Sequence, residues 1–284
     1  MARLFVRNLT VLDFAYLDET RGLLGESWRV DVELGGELDA QGMVLDFARV
    51  KRGIKQALDR HFDHRLLVPR RHHALSVADV PGGLELGFRL AGGGTIRHRS
   101  PAEAVTLIDS EAIEPASVTE AALQRLWPIL PENVASLRLE LRPETSNGAF
   151  FHYAHGLKHH DGNCQRIAHG HRSRIEIRCD GERDVRLETD WAERWRDITI
   201  FSREDLVAAP AGLTGSAYRA AQGDFLLELP RERCYVVDTD TTIENLAQHV
   251  AETLARENPG RHIEARVFEG IDKGALGEAG GAQS

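Results

Sequence analysis

Apolar and polar residues alternate through residues 4–16, and again from Trp28 to Val32. The same alternation returns at residues 149–157 and from Ser173 to Ile177. A period of two places every second side chain on one face, as in a half-buried antiparallel strand. Each pair of stretches therefore predicts a β-hairpin. The two copies share a register. Gly25-Glu26-Ser27-Trp28-Arg29-Val30-Asp31-Val32 lies over Gly170-His171-Arg172-Ser173-Arg174-Ile175-Glu176-Ile177, and Gly36, Glu37 and Asp39 then lie over Gly181, Glu182 and Asp184. The chain is an internal repeat.

Helical spacing follows each hairpin. Val50, Ile54, Leu58 and Phe62 predict a helix over about 47–62, which the Ser202–Ala209 segment matches weakly in the second half. A second helix is expected from Ser117 to about Ile129, followed by a strand from Val134 to Arg142. Its counterpart starts at Thr241 and carries Leu246, Ala247, Val250 and Leu254 on one face, ahead of a strand from Ile263 to Phe268. Glu120 and Glu244 each stand three residues after Ser117 or Thr241, the spacing of a capping box. Pro-Gly-Gly and Gly-Gly-Gly turns mark residues 70–115 as a hairpin insertion. These elements predict an α+β protein of two tandem units, residues 1–146 and 147–274, each an antiparallel sheet with helices on one face. The Gly- and Ala-rich residues 275–284 are expected to form a flexible tail.

Composition narrows the classes. A chain of 284 residues, 42% apolar and 28% charged, has the make-up of a soluble globular protein. No run approaches the roughly 20 apolar residues that span a bilayer, and the alternating N-terminus lacks the apolar block of a signal peptide. Three scattered cysteines, Cys164, Cys179 and Cys234, make no disulfide framework and suit a reducing cytoplasm. A net charge of −9 argues against a general nucleic-acid binder, without excluding a small anionic substrate.

The candidate chemistry lies between Ala154 and His171. Residues i and i+2 of a strand share a face, so His169 and His171 can aim at one point, with Gly170 between them. His155, on the preceding strand, can supply a third nitrogen. Three imidazoles with a fourth position open suit catalytic zinc, Zn2+. His152 is out of phase, and His159 and His160 fall in the hairpin loop, so all three are left out. The repeat supplies a control: Leu24 stands opposite His169, Glu26 opposite His171, and Phe14-Ala15-Tyr16-Leu17 runs opposite the His155 segment. Only the second half can bind this metal.

These residues resemble the 6-pyruvoyl-tetrahydropterin synthase / 6-carboxy-tetrahydropterin synthase family of the tunnelling fold. The family pattern is shared between the halves. The second carries Ala154-His155-Gly156-Leu157, Cys164 and His169-Gly170-His171; the first carries Gly42-Met43-Val44-Leu45-Asp46-Phe47 and Asp63-His64-Arg65-Leu66-Leu67. The resemblance implies that His155, His169 and His171 bind zinc. It implies that Cys164 moves protons at a pterin side chain, with Asp63 and His64 assisting, and that a glutamate anchors the pterin. Glu269 keeps the family's spacing for that anchor, whereas Glu144 comes one residue late. Four residues rather than the family's three separate Cys164 from His169, a difference that a bulge would have to absorb. The implied activity is a zinc lyase converting 7,8-dihydroneopterin triphosphate to 6-carboxy-tetrahydropterin, towards queuosine-type deazapurines. A 6-pyruvoyl-tetrahydropterin synthase, another pterin side-chain lyase or epimerase, and a non-catalytic zinc- and pterin-binding protein are the alternatives. Family assembly implies a homo-oligomer, for which three tandem chains would make one ring. Whether the halves meet within a chain or between chains is open. Arg70, Arg71, Arg166 and Arg172 are basic candidates for the triphosphate, each equally readable as a solvated surface charge.

Overall fold

The computed structural model describes residues 2–38, 42–44, 46–146 and 148–281. Asp39 of the repeat and Leu45 of the Gly-Met-Val run lie outside them. The first half runs β1 (Ala2–Asp18), β2 (Gly22–Gly36), α1 (Phe47–His61), β3 (Leu66–Pro69), then a meander of β4 (Leu75–Val80), β5 (Gly83–Arg89) and β6 (Thr95–Ser100). It closes with β7 (Val105–Ile108), α2 (Pro115–Leu126) and β8 (Val134–Pro143). The second half repeats the order: β9 (Phe150–His155), β10 (His169–Cys179), the two-residue β11 (Glu182–Arg183), α3 (Val185–Arg194), β12 (Ile198–Ser202), a meander of β13 (Leu206–Val207), β14 (Leu213–Ala220) and β15 (Gly223–Pro230), β16 (Cys234–Val237), α4 (Ile243–Glu257) and β17 (His262–Phe268). One further strand, β18 (Gly274–Gly280), follows.

Strand order is the same in both halves: β7-β3-β1-β2-β8 in one sheet and β16-β12-β9-β10-β17-β18 in the other. Each sheet is antiparallel across its central hairpin and the strand beyond it, and parallel at the other side, where β3 and β7, or β12 and β16, join. The two meanders pair with each other through β6 and β15, giving a third sheet of six strands in which neither half is complete. The insertion expected over 70–115 is therefore half of a shared sheet. Two apolar cores lie under the helix pairs, and a third, containing Leu17, Phe88, Ile167, Phe201 and Leu227, draws on both halves. Burial of that shared apolar surface holds the halves together.

Gly25 and Gly170, aligned in the repeat, meet where β2 crosses β10. A Cβ on Gly25 would lie 1.9 Å from the Tyr153 carbonyl oxygen, and one on Gly170 would lie 2.7 Å from Gly25 Cα. Only glycine permits this backbone approach.

Four expectations need correction. The partner of α1 is α3, not residues 202–209. Asp184 caps α3 by accepting from Leu187 N, and Glu188 on its inner face is fully buried, where pattern reading expects an apolar residue. The helix α2 starts earlier, with Glu114 as cap and Ser117 as the returning partner, so Glu120 is not in its capping box. Thr242, not Thr241, caps α4. Residues 274–280 are not a tail but an edge strand beneath α4. A Cβ on Gly277 would fall 2.3 Å from the Ala247 carbonyl oxygen, so its small residues serve close packing. Residues 282–284 lie outside the described chain.

Candidate metal and catalytic centre

His155 and His169 are direct partners in the β9–β10 ladder, and His171 follows two residues on along β10. Their ring centroids are 4.4 Å (155–169), 5.4 Å (155–171) and 5.7 Å (169–171) apart. One ligand nitrogen from each lies within 4.8 Å of the others. All three side chains are buried, and each Nε2 lacks a hydrogen-bond partner. An unsatisfied buried polar atom is costly, and three facing one another require a common partner.

The outer nitrogens are held. His155 Nδ1 lies 3.0 Å from the Thr241 carbonyl oxygen, and His169 Nδ1 lies 2.8 Å from that of Arg166. Both are N–H donors in this arrangement, which leaves the Nε2 lone pairs pointing inward. Burial holds His155 and His169 well below the ordinary imidazole range, so they stay neutral, as ligands must be. His171 Nδ1 faces Asp13 Oδ1 at 3.3 Å. The donor set therefore fits a zinc ion, with the three Nε2 atoms as ligands.

Asp13 belongs to the first half. Its carboxylate also takes a 2.5 Å bond from Ser27 Oγ and lies 3.0 Å from Lys273 Nζ. Burial opposes its charge, but His171, Lys273 and Ser27 outweigh that and hold its carboxyl far below the usual range. The sequence reading missed Asp13, Ser27, Thr241 and Lys273. An Asp inside the apolar run Val11-Leu12-Asp13-Phe14-Ala15 was the available signal. Thr241 was misassigned as a cap; the shift of that cap to Thr242 frees it for His155.

The first half also brings Asp63 and His64 to the cluster. They sit in the turn between α1 and β3, where His64 takes a left-handed φ of 51°. That turn is bound to β1 twice: Asp13 N donates to Asp63 Oδ1 at 2.9 Å, and His64 N donates to the Asp13 carbonyl oxygen at 2.6 Å. His64 Nδ1 is 2.6 Å from Asp63 Oδ2, and its ring lies 5.1 Å from that of His169. Cys164 lies in a short 3-10 turn, Asn163–Gln165, ahead of His169. Its sulfur and one nitrogen each of His64 and His169 lie within 4.8 Å of one another. Burial disfavours a charged His64, yet the Asp63 bond and the Cys164 interaction overcome it and lift the pKa to about 10. Cys164, His64 and Asp63 thus stand together beside the imidazoles, an arrangement able to pass protons, within one chain.

Of the two glutamates, Glu269 stands at the cluster, with Oε1 3.9 Å from His171 Nε2. Glu144 is buried against guanidinium groups, 3.1 Å from Arg174 and 3.7 Å from Arg29. His152 turns away, its Nδ1 2.8 Å from the Gly25 carbonyl oxygen, and His159 pairs with Asp240 in the loop.

Known proteins resemble this chain. The family described as 6-pyruvoyl tetrahydropterin synthase matches residues 12–82 and 144–276, most of the chain. A putative 6-carboxy-5,6,7,8-tetrahydropterin synthase of Pyrococcus horikoshii is 32% identical over 59 residues, which span 21% of this chain and 34% of that relative. Among solved structures, the 6-pyruvoyl tetrahydropterin synthase of Plasmodium falciparum is similar at 13% identity and a TM-score of 0.39. That of Plasmodium vivax is similar at 15% identity and a TM-score of 0.35. In both comparisons 50% of this chain is matched to 98% of the other. No helix among the described residues is long and apolar enough to cross a membrane. With the family match running through both halves and across the histidine cluster, the chain belongs to the 6-pyruvoyl tetrahydropterin synthase family.

Proposed function

We propose that the chain is a zinc-dependent lyase that converts 7,8-dihydroneopterin triphosphate to 6-carboxy-tetrahydropterin, with one working site per chain. The observation that carries this reading is the meeting of three unsatisfied Nε2 atoms with Cys164, His64 and Asp63. Zinc held by His155, His169 and His171 supplies a Lewis acid that makes the side-chain hydroxyls and adjacent C–H groups of a dihydropterin more acidic. Cys164 takes a proton from that side chain, beside a protonated His64 whose ring Asp63 fixes by its Nδ1. Glu269 anchors the pterin, since a carboxylate accepts paired hydrogen bonds from an amino group and a ring N–H. The name of the Pyrococcus relative supports the carboxylated product over the pyruvoyl one.

Residues 1–146 and 147–274 are proposed as the two tandem units, β18 extending the second. The first has lost metal binding and retains the acid–base pair. Self-association of such chains into a ring is part of the same proposal.

Product analysis tests the activity. Zinc-loaded protein and dihydroneopterin triphosphate should yield triphosphate and acetaldehyde with the carboxylated pterin. Triphosphate without acetaldehyde would give the pyruvoyl product instead, and retained pterin without either release would make the chain a binding protein. Zinc near one equivalent per chain should vanish in His169→Ala.

A further inference from the structure

The repeat makes a twin of the working site, and the two differ in how an equivalent arginine is paired. Arg166 and Arg21 occupy the same place, each four residues before the aligned glycine, Gly170 or Gly25. His64 and Asp197 also correspond. Each lies two residues before the strand residue that pairs with the aligned Ala15 or Ala154, and both take left-handed φ angles, 51° and 55°. In the twin, Arg21 forms a bidentate ion pair with Asp197, at 2.8 and 2.6 Å. The working site has His64 in place of that carboxylate.

Arg166 consequently has no carboxylate within ion-pair distance among the described residues, although Asp63 and Glu103 act on it from farther off. It is only 5% exposed, not a solvated surface residue, and donates to neutral oxygens: Gln222 Oε1 at 3.0 Å and the His64 carbonyl at 3.2 Å. It lines an open cleft of about 600 Å³ with Arg60, Arg65, Gln56, Asn163 and two carboxylates, Asp59 and Glu103. Arg65, whose twin position holds Ile198, has a buried Nε without a partner and donates through NH1 to the Val105 carbonyl oxygen. Neither Arg65 nor Arg166 makes an ion pair among the described residues. Burial and the neighbouring Arg65 lower the Arg166 pKa to about 10. A buried guanidinium without a direct ion pair is costly, and a ligand can supply the missing contact.

We infer that Arg166 and Arg65 form a polyanion subsite beside Cys164 that receives the triphosphate tail of the substrate. The inference rests on the pterin reading above and adds to it the residues that set preference for a phosphorylated substrate. Planar guanidinium forks suit phosphate oxygens, and the two residues come from opposite halves, so the subsite exists only when the halves are joined.

Neopterin and neopterin triphosphate, oxidised and fluorescent, serve as probes of the zinc-loaded protein. Wild type should bind the triphosphate more tightly than neopterin by about tenfold to a hundredfold, the range of one or two charge-assisted bonds. Arg166→Met and Arg65→Met should each reduce that ratio while leaving the neopterin Kd unchanged, and Arg166→Lys should restore part of it. Arg21→Met in the twin should leave the ratio as it is. Equal binding of both probes by wild type, or an unchanged ratio in folded Arg166→Met and Arg65→Met, overturns the subsite alone. Failure to bind either probe overturns the pterin reading with it.

Discussion

Asp13 offers a sharp test of how the two halves share one site. Its Oδ1 faces the outer nitrogen of His171 at 3.3 Å, across the boundary between the repeats. At an effective dielectric constant near 20, a full charge pair at that distance is worth about 5 kcal/mol. That figure is an upper bound, because a ligand imidazole is neutral and Lys273, 3.0 Å from the same carboxylate, already offsets its charge. Loss of a partner behind a metal-ligating histidine commonly weakens metal binding about tenfold to a hundredfold, or roughly 1.4–2.7 kcal/mol. Asp13→Asn should fall in this range. It keeps the shape and an acceptor for Ser27, but its amide cannot serve both Lys273 and His171. The assay is zinc competition against a chromophoric chelator, starting from metal-free protein. Lys273→Met should lose less zinc affinity than Asp13→Asn, since it leaves the carboxylate facing His171. A folded Asp13→Asn protein with a zinc Kd within about twofold of wild type would refute the role given to Asp13.

Three further outcomes follow from particular contacts. Gly25→Ala would drive a Cβ to 1.9 Å from the Tyr153 carbonyl oxygen and 2.3 Å from His171 N; denaturant unfolding should show a loss of about 3 kcal/mol, the upper end for overpacking, and weaker zinc retention, whereas Gly53→Ala, in open space on α1, should be neutral or mildly stabilising. Burial raises Glu26 from 4.5 to about 7, so folding takes up a proton between those values and stability falls as pH rises through that window. Glu26→Gln should match wild type near pH 5 and exceed it by up to about 3 kcal/mol at pH 8, checked by thermal unfolding at both pH values. Glu269→Gln should weaken neopterin binding about tenfold or more, while Glu144→Gln, which only releases Arg174 and Arg29, should lower stability and leave neopterin affinity alone.

The histidine triad was legible because strand periodicity is local. A two-residue repeat fixes which side chains share a face, so His169 and His171 could be paired before any fold was known. Self-comparison was equally informative, and the same register that aligned Gly25 with Gly170 later identified Arg21 and Arg166 as counterparts. Legibility stopped where a role depended on a neighbour distant in the chain. Glu188 breaks the apolar stripe of α3 because it accepts from Ile177 N and Arg183, and the residues around Gly277 look unstructured until α4 lies on them. The capping residues were misplaced by one to three positions, since side chains near a helix start compete for the same backbone donors.

Taken alone, the amino-acid order determined two hairpin-led units, the helices α1, α2 and α4, and the half of the chain that carries the histidine cluster. Hydrophobic period and residue chemistry act over a few positions, and a linear chain displays them. Tertiary structure decided that Asp63 and His64 of the first half come to the histidine cluster of the second, that Asp13 stands behind His171, and that Arg166 lacks the ion pair Arg21 makes. Those outcomes depend on burial and on the approach of two backbones at Gly25 and Gly170. Charge and desolvation act through space, and the spacing of residues along the chain does not contain them.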